Sequence, residues 1–229
     1  MRILLVHRYF WPDHPNCGQI LWHLTKHLGL KGYKVEVLSS LPSKSQNSNK
    51  IKSKKNEVFK NIKIKRINLT IEGLDPTKKI INSLYLGFWT NYLAIKNNYD
   101  VIISTSIPPI AGGFFAALAS TLTRTRFIYF CMDLHPEVGK ISGDFSNYFF
   151  YLILKKIDSW SCSKANPIIV HSTDMKKSLL SRSINNKFKI KVINNFSIPT
   201  KKKNKSSLGK IFKLKKKKLK IIFAGNLGG

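Results

Sequence analysis

Acid is what this sequence has least of. Eleven Asp and Glu stand against forty Lys and Arg in 229 residues, a formal net charge of +29. That balance favours anionic partners, whether lipid headgroups or nucleic acid. Arginine is scarce as well, six of the forty cations. Because arginine is the side chain best suited to reading base edges, no specific nucleic acid is expected as a partner, and no RNP, helix-turn-helix or zinc-finger pattern accompanies the charge. Cysteine is limited to Cys17, Cys131 and Cys162, odd in number and far apart. This excludes a disulfide framework or a CxxC metal site and fits a reducing compartment. Long apolar runs are missing too. The longest, Ile107–Leu122, opens on Pro108-Pro109 and contains Gly112-Gly113, and it falls short of the ~20 residues a spanning helix needs. The short apolar run after Arg2 has no small-residue cleavage site behind it, so no signal peptide is read there. A cytoplasmic protein is expected.

Hydrophobic residues make up 43% of the chain, enough for a core. The charge is unevenly placed. Residues 44–66 carry nine Lys/Arg and one Glu, and residues 175–229 carry seventeen Lys/Arg and no acid. AT-rich codon use gives the same Lys-, Asn- and Ile-rich mixture, so drift and selection for an anionic partner both stand as explanations.

Short apolar runs alternate with helical patterns. Strands are expected at Arg2–His7, Tyr33–Ser39, Val58–Leu69 (exposed or at an edge), Val101–Thr105, Phe127–Cys131, Pro167–His171, Lys189–Ile193 and Lys220–Ala224. Helices are expected at Gln19–Leu30, Ile80–Lys96, Ala111–Leu122, Asn147–Lys164 and Asp174–Ser181, and a Lys-rich linker at Lys201–Lys218. A repeated β-α-β pattern implies an α/β fold, a parallel sheet with helices on both faces. Ligands bind such sheets at the carboxyl ends of the strands. The loops to inspect are therefore His7–Gly18, Ser104–Gly113, Met132–Gly139, His171–Asp174, Asn194–Pro199 and Gly225–Gly229.

Each loop has a functional and a plain reading. Gly18 at a helix start lets a ligand approach backbone N–H groups, or simply makes a strand–helix turn. Ser104-Thr105-Ser106 before Pro108-Pro109 could line a cleft, or end a strand and cap a helix. Asp133, His135 and Glu137 gather two of only eleven acids around a histidine. Such a group can hold a proton or a sugar hydroxyl, or merely place acids at a helix N-terminus. Gly225, Asn226, Gly228 and Gly229 could cradle phosphate on backbone N–H groups, although the Walker lysine is missing and such turns are common. His23 and His27 lie at i, i+4 but lack a third ligand and the HExxH glutamate, so no metal is expected.

Taken in order, RILLVHRYFWPD…G, KGYKVEVLSS, YDVIISTSIPP, IYFCMDLHPE, ANPIIVHSTDMKKSLL, KIKVINNFSI and KIIFAGNLGG resemble the amino-terminal half of a GT-B fold glycosyltransferase of family 4. The resemblance covers nearly the whole chain, with His135 standing where the family's DLWPE-like motif has tryptophan. It implies a Rossmann-like domain over residues 1–200 that holds the acceptor, a linker at 201–218, and at 219–229 the first strand and glycine loop of a truncated nucleotide-sugar-binding domain. It implies transfer of a hexosyl or N-acetylhexosaminyl unit from a nucleotide-sugar to a lipid-linked or saccharide acceptor in bacterial capsule, exopolysaccharide or O-antigen synthesis, without a metal or other cofactor. Asp133, His135 and Glu137 would lie near acceptor and sugar. Gly18, Ser106, Pro108, His171 and Asn195 fall in loops facing the cleft, and Gly225, Asn226, Gly228 and Gly229 would meet the donor phosphates. The doubled glycine common in the family is here Cys17-Gly18, and the chain stops before the basic diphosphate-binding pair, so weak donor binding and little turnover are expected of it alone.

Aromatics beside lysines in Leu84–Leu93 and Asn147–Lys156 suit a lipid–water interface, or two core helices. An anionic membrane surface is thus a candidate partner. A basic nucleic-acid-binding protein and a non-catalytic acceptor-binding half of a split enzyme are the alternative readings.

Overall fold

A computed structural model describes residues 1–12, 16–42, 54–70, 73, 75–143, 147–182 and 189–195. Its elements follow as β1 (Arg2–Val6), α1 (Asn16–Leu30), β2 (Lys34–Ser40), β3 (Asn56–Phe59), β4 (Ile62–Ile67), α2 (Pro76–Lys96), β5 (Val101–Thr105), α3 (Ala111–Thr123), β6 (Arg126–Phe130), α4 (Glu137–Ile141), α5 (Tyr148–Lys164), β7 (Ile168–Val170), α6 (Thr173–Leu180) and β8 (Ile190–Val192). Met1–Asn195 form one compact unit. The expected linker, the strand Lys220–Ala224 and the loop Gly225–Gly229 lie outside the described residues.

The eight strands make one sheet in the order β3-β4-β2-β1-β5-β6-β7-β8, parallel except where β3 meets β4. Strand alternation sorts the core into two layers. Ile3 and Leu5 of β1 join Val35, Val37, Val101 and Ile103 on the face covered by Leu21 of α1. Leu4 and Val6 join Ile102, Phe127 and Tyr129 on the face covered by Leu86 of α2, Ala116 and Ala117 of α3 and Cys162 of α5. Continuous apolar runs such as Ile3-Leu4-Leu5-Val6 are what a strand covered on both sides requires.

Two expectations need correction. The single exposed strand Val58–Leu69 is a hairpin. It turns at Lys60, whose φ of 50° lies in the left-handed region, so β3 takes the sheet edge while β4 pairs on both sides with Ile62, Ile64 and Ile67 buried. No glycine or proline marks that turn. Helix α2 starts at Pro76 instead of Ile80, because Asp75 caps it by accepting from the N–H groups of Thr77 and Lys78 and Pro76 occupies the first turn. The short helix α4 was not expected at all. Between α2 and α3, Gly87 permits close contact: a Cβ there would sit 2.2 Å from the Phe115 ring.

Candidate functional site

From β1 the chain moves outward through β2 on one side and β5 on the other, so the strand order switches beside β1. A crevice at the carboxyl ends of β1 and β5 follows from that topology. Along this edge the loops after β1, β5, β6, β7 and β8 deliver His7, Ser106, the Asp133–Glu137 segment, His171 and Asn195 in turn.

At the switch point His7 is fully buried. Its Nδ1 lies 2.6 Å from Thr105 Oγ1 and its Nε2 3.1 Å from Cys17 Sγ. Burial lowers its pKa to about 3 and also pushes the Cys17 thiol up. A neutral ring whose Nδ1–H donates to Thr105 and whose Nε2 accepts the Cys17 thiol satisfies every member, with the Thr105 hydroxyl passing on to the Ile107 carbonyl at 3.3 Å. This chain of contacts ties β1, β5 and α1 together. Gly18 faces the protein's own backbone: a Cβ there would come within 3.0 Å of the Tyr9 carbonyl. The loop beyond His7 is pinned in turn. The Arg8 carbonyl accepts from both Ser39 and Ser40 hydroxyls, Arg66 donates to the Trp11 carbonyl at 3.0 Å, and Trp11 stacks on Trp22.

Ser106 is buried, and its Oγ accepts the N–H groups of Met132 and Asp133, both at 3.1 Å. It sets the course of the β6 loop from behind. Pro108 is also buried, beside Val6, Leu86 and Gly87, around a void of about 10 Å³. Nearby Gly112 must be glycine, since a Cβ would meet the Thr105 carbonyl at 2.6 Å. Asp133 is exposed and His135 half-buried. Burial lowers the His135 pKa against the opposing pull of Asp133, Asp158 and Glu137, and its buried Nδ1 has no hydrogen-bond partner among the described residues.

Glu137 opens α4, and its carboxylate meets Arg182, which donates from Nε to Oε1 at 2.8 Å and from Nη2 to Oε2. The same Nη2 donates to the His135 carbonyl at 2.9 Å, and Nη1 donates to Asp158 at 2.5 Å. Asp158 also accepts the Tyr129 hydroxyl at 3.2 Å. The Arg182 and Asp158 side chains are each 1% exposed. Burial pushes the Asp158 carboxyl up, and the guanidinium and the Tyr129 hydroxyl pull against it. Lys155, 4.0 Å from Glu137, offsets part of the second negative charge.

Toward the far end of the row, His171 packs edge-on against Phe130, with Nδ1 3.1 Å from the Ile193 carbonyl. Asn195 is exposed beyond β8, and Gly225, Asn226, Gly228 and Gly229 lie outside the described residues. A larger cavity, about 770 Å³, opens at the opposite edge among Asp100, Arg124, Arg126, Lys164 and Asn166. Arg124 and Lys164 there end α3 and α5, where cations suit the negative end of a helix dipole. That account needs no ligand, and the topology keeps the candidate site on the carboxyl edge.

Neither a family model nor a curated protein matches the sequence. Solved structures do. Sucrose-phosphate synthase from Thermosynechococcus elongatus superposes with a TM-score of 0.60 at 12% identity, over 84% of this chain and 47% of that one. A UDP-glucosyltransferase from Polygonum tinctorium, capable of glucosylating indoxyl, gives 0.51 at 12% identity, over 88% of this chain and 54% of its own. The fold is the Rossmann-like fold of the GT-B glycosyltransferases. Identity this low carries the fold and no more, and the chain spans about half the length of these structures.

In the Asp133–Glu137 loop an exposed carboxylate lies two residues from a histidine whose buried ring Nδ1 has no partner among the described residues. Asp133 can accept a hydrogen bond or a proton from a hydroxyl, and a neutral His135 can hydrogen-bond one. Sequence reasoning missed Asp158 and Arg182. Their signal was rarity, a lone acid inside an aromatic helix and one of six arginines.

Proposed function

We propose that this chain supplies the acceptor-side half, residues 1–200, of a family 4 GT-B glycosyltransferase. A linker at 201–218 and the opening of a nucleotide-sugar-binding domain at 219–229 follow it. In this reading the enzyme moves a hexosyl or N-acetylhexosaminyl unit from a nucleotide-sugar to a lipid-linked or saccharide acceptor in bacterial surface polysaccharide synthesis. The observation that carries it is the pairing of exposed Asp133 with half-buried His135 on the carboxyl edge of this fold. Asp133 takes the hydrogen bond of the acceptor hydroxyl and His135 orients a sugar hydroxyl. Backbone N–H groups at Gly225, Asn226, Gly228 and Gly229 meet the donor diphosphate, whose leaving charge is balanced by helix dipoles and basic side chains without a metal.

The acceptor's lipid fixes where the protein works, on the inner face of the plasma membrane. In support, helices α2 and α5 flank α3 and expose large apolar side chains. Leu84, Tyr85, Phe88 (61% exposed) and Ile95 line α2, and Tyr148, Phe149 (73%), Phe150 and Ile153 line α5. Lys96 lies against the Tyr92 ring and Lys140 against those of Tyr148 and Tyr151. Exposed apolar surface this extensive marks an interaction face, and no helix among the described residues is long and apolar enough to cross a membrane.

Perturbation mapping by NMR on the 229-residue chain tests the reading, with a panel of methyl hexosides and methyl N-acetylhexosaminides as probes. Shifts centred on residues 132–135 and lost in Asp133→Asn are expected. Shifts centred on the amino edge of the sheet, or none with any member, would overturn it. Flotation with anionic and neutral vesicles at low and high salt tests the membrane half, which fails if the anionic vesicles are not preferred.

A further inference from the structure

The geometry points to Arg182 as the positioning residue of the Asp133–Glu137 loop, with Glu137 serving as its anchor and not as an acid–base group. What the loop is positioned for rests on the glycosyl-transfer reading; the clamp itself does not.

Arg182 follows α6, yet it reaches 45 and 47 residues back to Glu137 and His135 and 24 back to Asp158. One guanidinium thereby holds the β6–α4 loop against α5. Its two edges are used differently. Nε and Nη2 grip both oxygens of Glu137 in a fork, a geometry that only a planar guanidinium provides, while Nη1 is committed to Asp158. Asp158 is held in turn by Tyr129, a fully buried β6 side chain that lies where a Cβ on Gly113 of α3 would come within 2.9 Å of it. The clamp is therefore backed by the sheet and two helices.

A proton taken up by Glu137 would discharge the carboxylate that the guanidinium grips and weaken the pairing, so the fork favours Glu137 in its ionised, holding role. Asp133 accepts no such grip: its backbone N–H is fixed by Ser106 and its carboxylate is exposed. His135 lies between them. Its carbonyl is tied down by Arg182, while its ring keeps a buried Nδ1 with no partner among the described residues. The loop is thus secured through its backbone and through Glu137. The polar group of the loop left open to a ligand hydroxyl is the Asp133 carboxylate, while the His135 Nδ1 is enclosed.

The test compares Glu137→Gln and Arg182→Lys with the parent in the full chain, reading the imidazole C–H signals of His135 and His7 by NMR together with amide hydrogen exchange. Asp133, Glu137, Asp158 and Arg182 are the charged groups acting on His135, whereas His7 is held by Thr105 and Cys17. It therefore serves as an internal reference. The expected result is a shifted or broadened His135 signal and an exchange rate roughly tenfold or more higher over residues 133–140, with His7 and the β1–β2 amides unmoved. Should Arg182→Lys fail to fold, Glu137→Gln decides alone, since Glu137 is 23% exposed. If both histidines move together, Arg182 is a general stabiliser and the proposal falls. It falls equally if neither moves. A selective response with no glycoside binding would keep the clamp and discard the glycosyl-transfer reading.

Discussion

The loops after β1 and β6 each carry a histidine, one fully buried and one half-buried, and they hold it in opposite ways. His7 has both ring nitrogens engaged, by Thr105 and by Cys17. His135 is engaged through its backbone carbonyl, and a buried ring nitrogen has no partner among the described residues. Burial depresses the pKa of both, so the direction of that shift does not separate them. What separates them is satisfaction. A buried polar group with all its hydrogen bonds made is part of the scaffold; one left unmatched carries a desolvation penalty that a partner able to reach it would relieve.

The largest effect that would break this contrast is at Arg182. Arg182→Ala leaves Asp158 as an uncompensated carboxylate in the core and should cost about 3–5 kcal/mol of stability in urea unfolding. A loss within error of zero would mean that the β6 loop has some other support. Next comes acid. In the unfolded chain His7 titrates near its ordinary 6.5, and in the folded protein only at about 3, so below 6.5 the unfolded chain binds the extra proton. Stability is therefore complete above that pH and declines as pH falls toward 3, by on the order of 3 kcal/mol between ~pH 7 and ~pH 4. His7→Gln should flatten the slope, and a variant as acid-sensitive as its parent would show that the sealed histidine is not the one titrating. The smallest effect sharpens the comparison. Thr105→Val removes one partner of His7 and turns it into a histidine with a spare nitrogen, like His135, at a cost of about 1–2 kcal/mol, measured by the same unfolding.

Much of the sheet could be read in advance, because strands buried on both faces announce themselves as apolar runs. Val101–Thr105 is the plainest case, and it appears at those bounds. The β3–β4 hairpin could not be read, since its turn uses Lys60 in a conformation that sequence assigns to glycine. For the candidate site, sequence placed these loops along one edge of the sheet but could not tell which side chains face solvent. Ser106 looked like a cleft residue, and its hydroxyl is turned toward the protein's own backbone. Glu137 looked equivalent to Asp133, and only the position of Arg182, 45 residues later, distinguishes them. Contacts between residues so distant in sequence leave no local pattern.

The central place of β1 has a consequence for the order of assembly. The first strand made pairs with β2 about thirty residues later, in the register Ile3↔Val35, but with β5 only at Ile3↔Val101. During synthesis the α1 layer can therefore close early, while one flank of β1 stays open until the chain has grown past residue 105. Closing that long loop is the slower step. The His7–Thr105 bond, spanning 98 residues, is the latch that records its completion. The β1–β5 edge at the switch point thus closes after the β1–β2 edge, and β6, β7 and β8 can add only once the chain has grown further.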